Sequence, residues 1–423
     1  MKAAIVGAGW AGLAAALAAV RDGHDVALFE ASRTLGGRAR ALPVRLPDGA
    51  SAVIDNGQHI FIGAYSQTLR VMREIGIDCE RVLLRLPLTL RFPDGGGLAL
   101  ADWPAPWDAA IGVLFATGWS WRDKVSLLRA MTRWKRTRFE CGQAESVAAL
   151  CESITPRVMG ELIEPLCVSA LNTPVERASA QVFLRVLRDG LFGPGDGRWR
   201  ASNLLLPCCD LGTLFPDAAS RWLQEHGAIV HTARRVQAVT SDAGGWRVDD
   251  ERFDAVVLAC PAREAARLVE NSGVAADEWV QRANALQYEA IATVYVLGEH
   301  RLPLPLLALR SGPAAPAQFV FDRAQLGGPA GLLAFVVSAS LGDHDTLERQ
   351  VLAQAQALGW GGLTPLQTVV ERRATFACAP GIRRPGILVA RGLLACGDYV
   401  QGPYPSTLEG AVRSGLEAVS QFT

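Results

Sequence analysis

Apolar positions open the chain in the rhythm of strand, helix and strand. Residues 3–6 are a short apolar run, residues 11–21 are rich in Ala and Leu, and residues 25–29 form a β-like run ended by Glu30. Short apolar runs bounded by turn residues predict strands and longer Ala/Leu-rich runs predict helices, so the N-terminus reads as a βαβ unit. Further β-like runs stand at 229–231, 236–240, 246–248 and 255–259, the last followed by Pro261 and a helical stretch. The C-terminal end repeats the theme with runs at 387–389 and 393–396, then Gly397-Asp398, then a helix from about 407 to 422. Two blocks interrupt this pattern. Residues 103–191 hold long helical patterns, several tryptophans and clustered arginines (Arg129, Arg133, Arg136, Arg138), while residues 288–375 alternate strand-like runs with Pro-rich turns. The chain therefore reads as an α/β domain split over 1–75, 205–285 and 380–423, with an α+β domain inserted as 76–204 and 286–379. No internal repeat or low-complexity tract appears.

Composition narrows the classes. A chain of 423 residues is long enough for two or three domains and a large core. Its 42 basic and 42 acidic side chains balance, which argues against a nucleic-acid partner. Charged residues make up 20% and the mean hydropathy is +0.17, so the chain is not disordered. Nine cysteines in no regular spacing, with no CxxC pair or Cys/His cluster, predict free thiols in a reducing cytosol and no metal site. Residues 3–20 lack the basic start of a signal peptide. The longest uncharged run, residues 324–342, contains Pro329 and glycines and reads as a loop feeding a buried strand at 332–338, not a membrane span.

The chemistry begins at Gly7-Ala-Gly9-Trp-Ala11-Gly12, a G-x-G-x-x-G set between strand and helix. Gly7 permits the tight turn, Gly9 lets the backbone approach a pyrophosphate, and Gly12 lets helix and strand pack closely. Glu30 ends the second strand 18 residues beyond Gly12, where a carboxylate accepts hydrogen bonds from a ribose diol. Together they predict a Rossmann-type site for an adenine dinucleotide. Gly36-Gly37-Arg38 follows and adds N–H groups and a cation near the phosphates and the far end of the cofactor, which an NAD enzyme does not need.

These residues resemble the flavin amine oxidase and carotenoid desaturase superfamily, whose members carry G-x-G-x-x-G, a terminal acid and then G-G-R. The C-terminal Gly397-Asp398, followed by Pro405-Ser-Thr-Leu408-Glu409-Gly410-Ala411, is similar to the superfamily's closing motif. The resemblance implies FAD, with Asp398 on the ribityl chain or phosphate, Val236 meeting adenine through its backbone, and the helix opening at Leu408 aimed at the flavin. Amine oxidases of this superfamily hold a lysine in the second half of the chain, and here no lysine follows Lys135. Asp55-Asn-Gly-Gln58-His59, the run from Glu164 to Pro174 and Pro403-Tyr404-Pro405-Ser406-Thr407 instead resemble hydroxysqualene dehydroxylases, over essentially the whole chain.

That resemblance implies a reductive reaction: hydride from N5 of reduced FAD replaces the hydroxyl of hydroxysqualene, giving squalene and water in squalene and hopanoid synthesis. An acid must protonate the departing hydroxyl, and the pocket must be long, apolar and dry. His59, as imidazolium, is the first candidate acid; Tyr404 and Tyr288 are further ones. Glu409 is expected to cap or brace the last helix and Asp55 to form a local turn. The substrate further implies a bacterial cytoplasmic enzyme, peripheral on the inner face of the inner membrane, in contact with squalene-type synthases. Arginines at 133 and 136, set among Trp119, Trp121 and Trp134, suit that surface. An isoprenoid desaturase or amine oxidase, and a flavin-binding scaffold, are the alternatives; turnover of hydroxysqualene separates them.

Overall fold

The computed structural model describes residues 1–242 and 244–422. β1 (Lys2–Val6), α1 (Trp10–Arg21) and β2 (Asp25–Phe29) form the opening βαβ unit. β3 (Ser51–Asp55) runs into the loop that carries His59, and α2 (Ser66–Glu74) follows. The helical block supplies α3 (Trp107–Leu114), α4 (Trp121–Arg136), a π-helical turn (Met159–Ile163), α5 (Glu164–Leu171) and α6 (Ala180–Phe192). β4 (Ile229–His231) and β5 (Ala255–Leu258) come next. A meander of long strands follows: β6 (Tyr288–Leu297), β7 (Leu306–Ala308), β8 (Phe319–Asp322), β9 (Leu332–Ser338) and β10 (Thr364–Phe376). β11 (Leu388–Ala390), β12 (Leu393–Ala395) and α7 (Leu408–Ser420) finish the chain.

Six strands share one sheet in the order β4-β2-β1-β5-β12-β11, parallel except for β11. Strands from three distant stretches of chain thus join one doubly wound sheet, with α1 and α7 packed together on one side. Gly415 makes that packing possible: a Cβ there would lie 2.3 Å from the carbonyl oxygen of Ala11. The other large sheet, β7-β8-β9-β6-β10, is antiparallel. β9 is buried along its whole length because both its faces are covered. Leu332, Ala334 and Val336 join the core of the helical block, while Leu333, Phe335 and Val337 pack with Leu347 and Val351 of the helix His344–Ala357. The apolar run at 332–338 is a two-sided strand.

One expected strand is shorter than its apolar pattern. Residues 236–238 are irregular and the strand occupies Val239–Asp242. Side chains consume the backbone groups that a ladder would need: the Asp249 carboxylate accepts from the N–H groups of Gln237 and Ala238 at 2.8 and 3.0 Å, and the Arg267 guanidinium donates to the carbonyls of Val236 and Gln237.

Candidate functional site

Three glycines of the first loop do three different jobs. A Cβ on Gly7 (φ +114°) would lie 2.7 Å from the carbonyl oxygen of Ala259, and one on Gly12 would lie 1.9 Å from that of Gly7. Those two serve packing. Around Gly9, however, the nearest atom to an added Cβ is the Cα of Gly37 at 3.9 Å, so its outer side is open. The second glycine pair lies against this opening: Gly36 N–H donates to Ala8 carbonyl at 2.9 Å, and both Gly36 and Gly37 have positive φ. No side chain caps the N-terminus of α1, and its first turn holds no acid, so its N–H groups are left for an anion. Ala11 and Gly12 are buried within that first turn. Glu30 accepts the N–H groups of Ala8 and Ser32, each at 2.8 Å, which fixes its carboxylate beside the loop while each oxygen keeps a further lone pair. A cradle with an open glycine, uncapped helix and anchored carboxylate fits a dinucleotide.

The motifs at the two ends of the chain meet here. Arg38 donates to the Asp398 carboxylate at 2.6 Å and to the Ala374 carbonyl at 2.6 Å. Its guanidinium is therefore anchored by protein groups from β10 and the C-terminal motif. Gly397 (φ +149°) leaves room for the ring of Tyr399, and its N–H donates to the Ser414 hydroxyl at 2.8 Å. Thr407 caps α7 through the N–H of Gly410, and Leu408 begins the helix half-buried. Tyr288, at the start of β6, belongs to the same group: burial and then Asp398 push its hydroxyl above the ordinary tyrosine value, against the pull of Arg38. Val236 is buried in the irregular segment described above.

The loop after β3 departs from expectation at Asp55. The residue is buried, accepts the N–H of distant Leu211 at 2.8 Å, and faces Arg323 at 3.7 Å. It is not a local turn former. Burial pushes its carboxyl up to about 6, against the Leu211 N–H and the Arg323 cation. Arg323 and Tyr295 both bind Gln58, and the Tyr295 hydroxyl also donates to the Asp55 carbonyl at 2.8 Å. Asn56 donates to the Arg38 carbonyl at 3.0 Å, tying this loop to the cofactor cradle.

His59 hangs from that loop with Nδ1 3.0 Å from the Gly57 carbonyl oxygen. A carbonyl only accepts, so Nδ1 carries the hydrogen and Nε2 is the titrating atom. Burial and the Arg38 cation push the ring below the ordinary histidine value, although the Gly57 carbonyl opposes them. The shift favours the neutral ring over the imidazolium. Tyr404 is committed elsewhere: its hydroxyl donates to Asp189 of α6 at 2.9 Å, and the Arg413 guanidinium lies over its ring. Glu409 braces two helices: it pairs with Arg413 one turn on in α7 at 2.6 Å, as a brace of the last helix, and it reaches α2 as well. Its carboxylate accepts from the N–H groups of Gln67 and Thr68 at the start of α2, and from the Thr68 hydroxyl at 2.7 Å.

Sequence reasoning missed Thr293. This β6 residue is 1% exposed, and its hydroxyl has no hydrogen-bond partner. A Cβ built on Gly57 would lie 4.0 Å from the Thr293 hydroxyl oxygen and 3.9 Å from the His59 ring. A threonine in a strand is ordinary in sequence; only the pairing of β6 with this loop exposes it.

A small apolar cleft of about 40 Å³ opens in the helical block, lined by residues such as Leu100, Val113, Leu127, Trp134, Ile163 and Leu187. The π-helical turn turns Leu162 and Ile163 toward it while Glu161 is held on another side by Trp119, Arg157 and Arg310. The lining belongs to one contiguous core with Tyr295, whose hydroxyl holds the His59 loop. The indole N–H of Trp134 is buried without a partner. No helix among the described residues is long and apolar enough to cross a membrane.

Residues 10–421 match the family of flavin containing amine oxidoreductases. The chain is 27% identical to a hydroxysqualene dehydroxylase of Rhodopseudomonas palustris, with 98% of this chain and 96% of that protein covered. A zeta-carotene desaturase of Synechocystis is 40% identical, but over only 18% of this chain and 15% of its own. An oxidoreductase from Methanosarcina mazei shares the fold with a TM-score of 0.74 at 16% identity, covering 99% of this chain and 100% of that one.

Proposed function

Because this chain belongs to the family of flavin containing amine oxidoreductases and is a flavin oxidoreductase, we propose that it is an FAD-dependent dehydroxylase that converts hydroxysqualene to squalene. The observation that carries the reading is the likeness to a hydroxysqualene dehydroxylase that runs the length of both chains, set beside a cradle that fits a dinucleotide. The division at 1–75, 205–285 and 380–423 against 76–204 and 286–379 is part of the proposal. FAD would be held by the loop Gly7 to Gly12, Glu30, Gly36 to Arg38, Val236, Gly397, Asp398 and the start of α7 at Leu408. Its bacterial setting would be the cytoplasmic side of a membrane that stores the substrate, next to the synthases that make it.

In the reaction the carbon–oxygen bond breaks, the oxygen takes a proton and leaves as water, and the carbon gains a hydride. Reduced FAD, when bound, would supply the hydride, which carries both electrons. The chain must supply the proton and the dryness. The proposed donor is Nε2 of His59. Its ring is oriented by the Gly57 carbonyl, and burial with the Arg38 cation makes the imidazolium a readier acid when it forms. Thr293 offers its unpaired hydroxyl to the substrate oxygen or a water. The apolar cleft keeps water from an allylic cation, whose charge is delocalised over the double bond.

The test is anaerobic turnover. Protein reduced chemically without oxygen should convert hydroxysqualene to squalene, read by mass spectrometry. An enzyme that instead oxidises hydrocarbons or amines, and stalls without oxygen, would replace the reading.

A further inference from the structure

We propose that the outer face of residues 103–128 docks on an anionic lipid bilayer, and that α3 and α4 pass substrate from it to the cleft behind them. The docking stands on the surface itself; the delivery rests on the isoprenoid reading. Among the described residues, thirteen large hydrophobic side chains are exposed, and seven of them fall within this stretch, Trp103, Trp107, Phe115, Trp121 and Leu128 among them. Phe115 is 71% and Trp121 70% exposed. Such a cluster on a folded surface marks a binding face.

Charge selects the occupant. The face itself carries Arg122 and Lys124, and residues 129–138, which continue it along α4 and just past its end, add the exposed Arg129, Arg133, Lys135, Arg136 and Arg138. The only two acids of residues 103–138, Asp108 and Asp123, are buried. Asp123 is spent on the capping box that starts α4, and Asp108 on the N–H of Ala109 and the Ser202 hydroxyl. The face is therefore aromatic and cationic, the composition that suits the interface of an anionic bilayer. A second copy docked by a two-fold axis would set these cations against their own kind.

The reverse side supplies the route. Ala109 and Val113 of α3, with Leu127, Met131 and Trp134 of α4, line the cleft. Trp107 of α3 and Trp121, Val125 and Leu128 of α4 face out. Helical spacing gives each helix one face for each side, so only two helices separate the docking face from the cleft.

Flotation of the flavin-loaded protein tests the docking without any substrate. Vesicles of phosphatidylcholine with about one third phosphatidylglycerol should carry the protein upward, and pure phosphatidylcholine should not. Trp107→Ser/Phe115→Ser/Trp121→Ser should cut the bound fraction by about tenfold or more while keeping flavin content and melting temperature. Failure of the parent to float, equal flotation of the variant, or a parent dimer that the variant dissolves would each overturn docking. For delivery, the variant should turn over detergent-dispersed hydroxysqualene like the parent but lose rate on hydroxysqualene in anionic vesicles. Equal rates in both settings would overturn the delivery route. A parent inactive in detergent sinks the substrate reading, and delivery with it, while flotation still decides docking.

Discussion

The cofactor cradle and the apolar cleft are built by opposite rules. In the cradle, single atoms decide: Gly12 leaves no room for a methyl group beside Gly7, Gly36 bonds Ala8, and Arg38 reaches Asp398 across 360 positions of sequence. In the cleft, the wall is Leu, Val, Ile, Met and aromatic side chains, and volume matters more than identity. A polar site specifies residues because each hydrogen bond and close approach has its own geometry. An apolar wall specifies only a shape. The His59 loop is the seam between the two, tied to Arg38 through Asn56 and to the cleft's core through Tyr295.

The contrast can be broken most severely at the seam. His59→Ala should slow single-turnover squalene formation by about 10²–10⁴-fold while the protein stays yellow. The rate of the parent should fall as pH rises through a value below the ordinary histidine one, because the donor is the charged ring and its pKa is lowered. A flat profile up to alkaline pH would point to Tyr288, whose pKa is raised.

Within the cradle, Gly12 and Gly9 should fail differently. Gly12→Ala sets a Cβ against backbone and should cost about 3 kcal/mol or more in thermal or urea unfolding. Gly9→Val has room in the fold and should leave the apoprotein stable but colourless. Equal loss of stability in both would erase the distinction between packing and binding glycines.

Asp55 tests the buried polar seam through pH. Its carboxyl is raised to about 6 from 3.8, so its contribution is fully present below the lower value and is lost as pH rises through the higher. The cost at neutral pH is about 3 kcal/mol at 1.36 kcal/mol per unit. Unfolding measured from pH 3 to 7 should show the parent losing that much relative to Asp55→Asn; parallel curves would contradict the shift. Glu30→Ala should weaken FAD by about 1.5–3 kcal/mol in titrations of the apoprotein. In the cleft, Leu187→Met should cost less than about 1.5 kcal/mol and leave the rate near that of the parent.

Much of this was legible in the one-dimensional pattern. The βαβ opening, the two glycine motifs, the 332–338 strand and the closing helix all follow from local rules: periods of 2 and 3.6, and glycines where backbone must bend or approach. Full-length resemblance pointed to the chemistry. What lay outside that reach was every choice of partner between distant segments. Glu409 caps α2 besides pairing with Arg413 of its own helix, Tyr404 is spent on Asp189, Asp55 faces Arg323, and Thr293 is left with a buried, unpaired hydroxyl. The two faces of α3 and α4 belong here as well, since each helix has apolar residues on both sides and only packing tells which side meets the core. Local structure depends on neighbours in sequence, and those are written in the chain. Hydrogen-bond partners, burial and the pKa shifts that follow from them depend on which segments fold together, and that is decided in three dimensions.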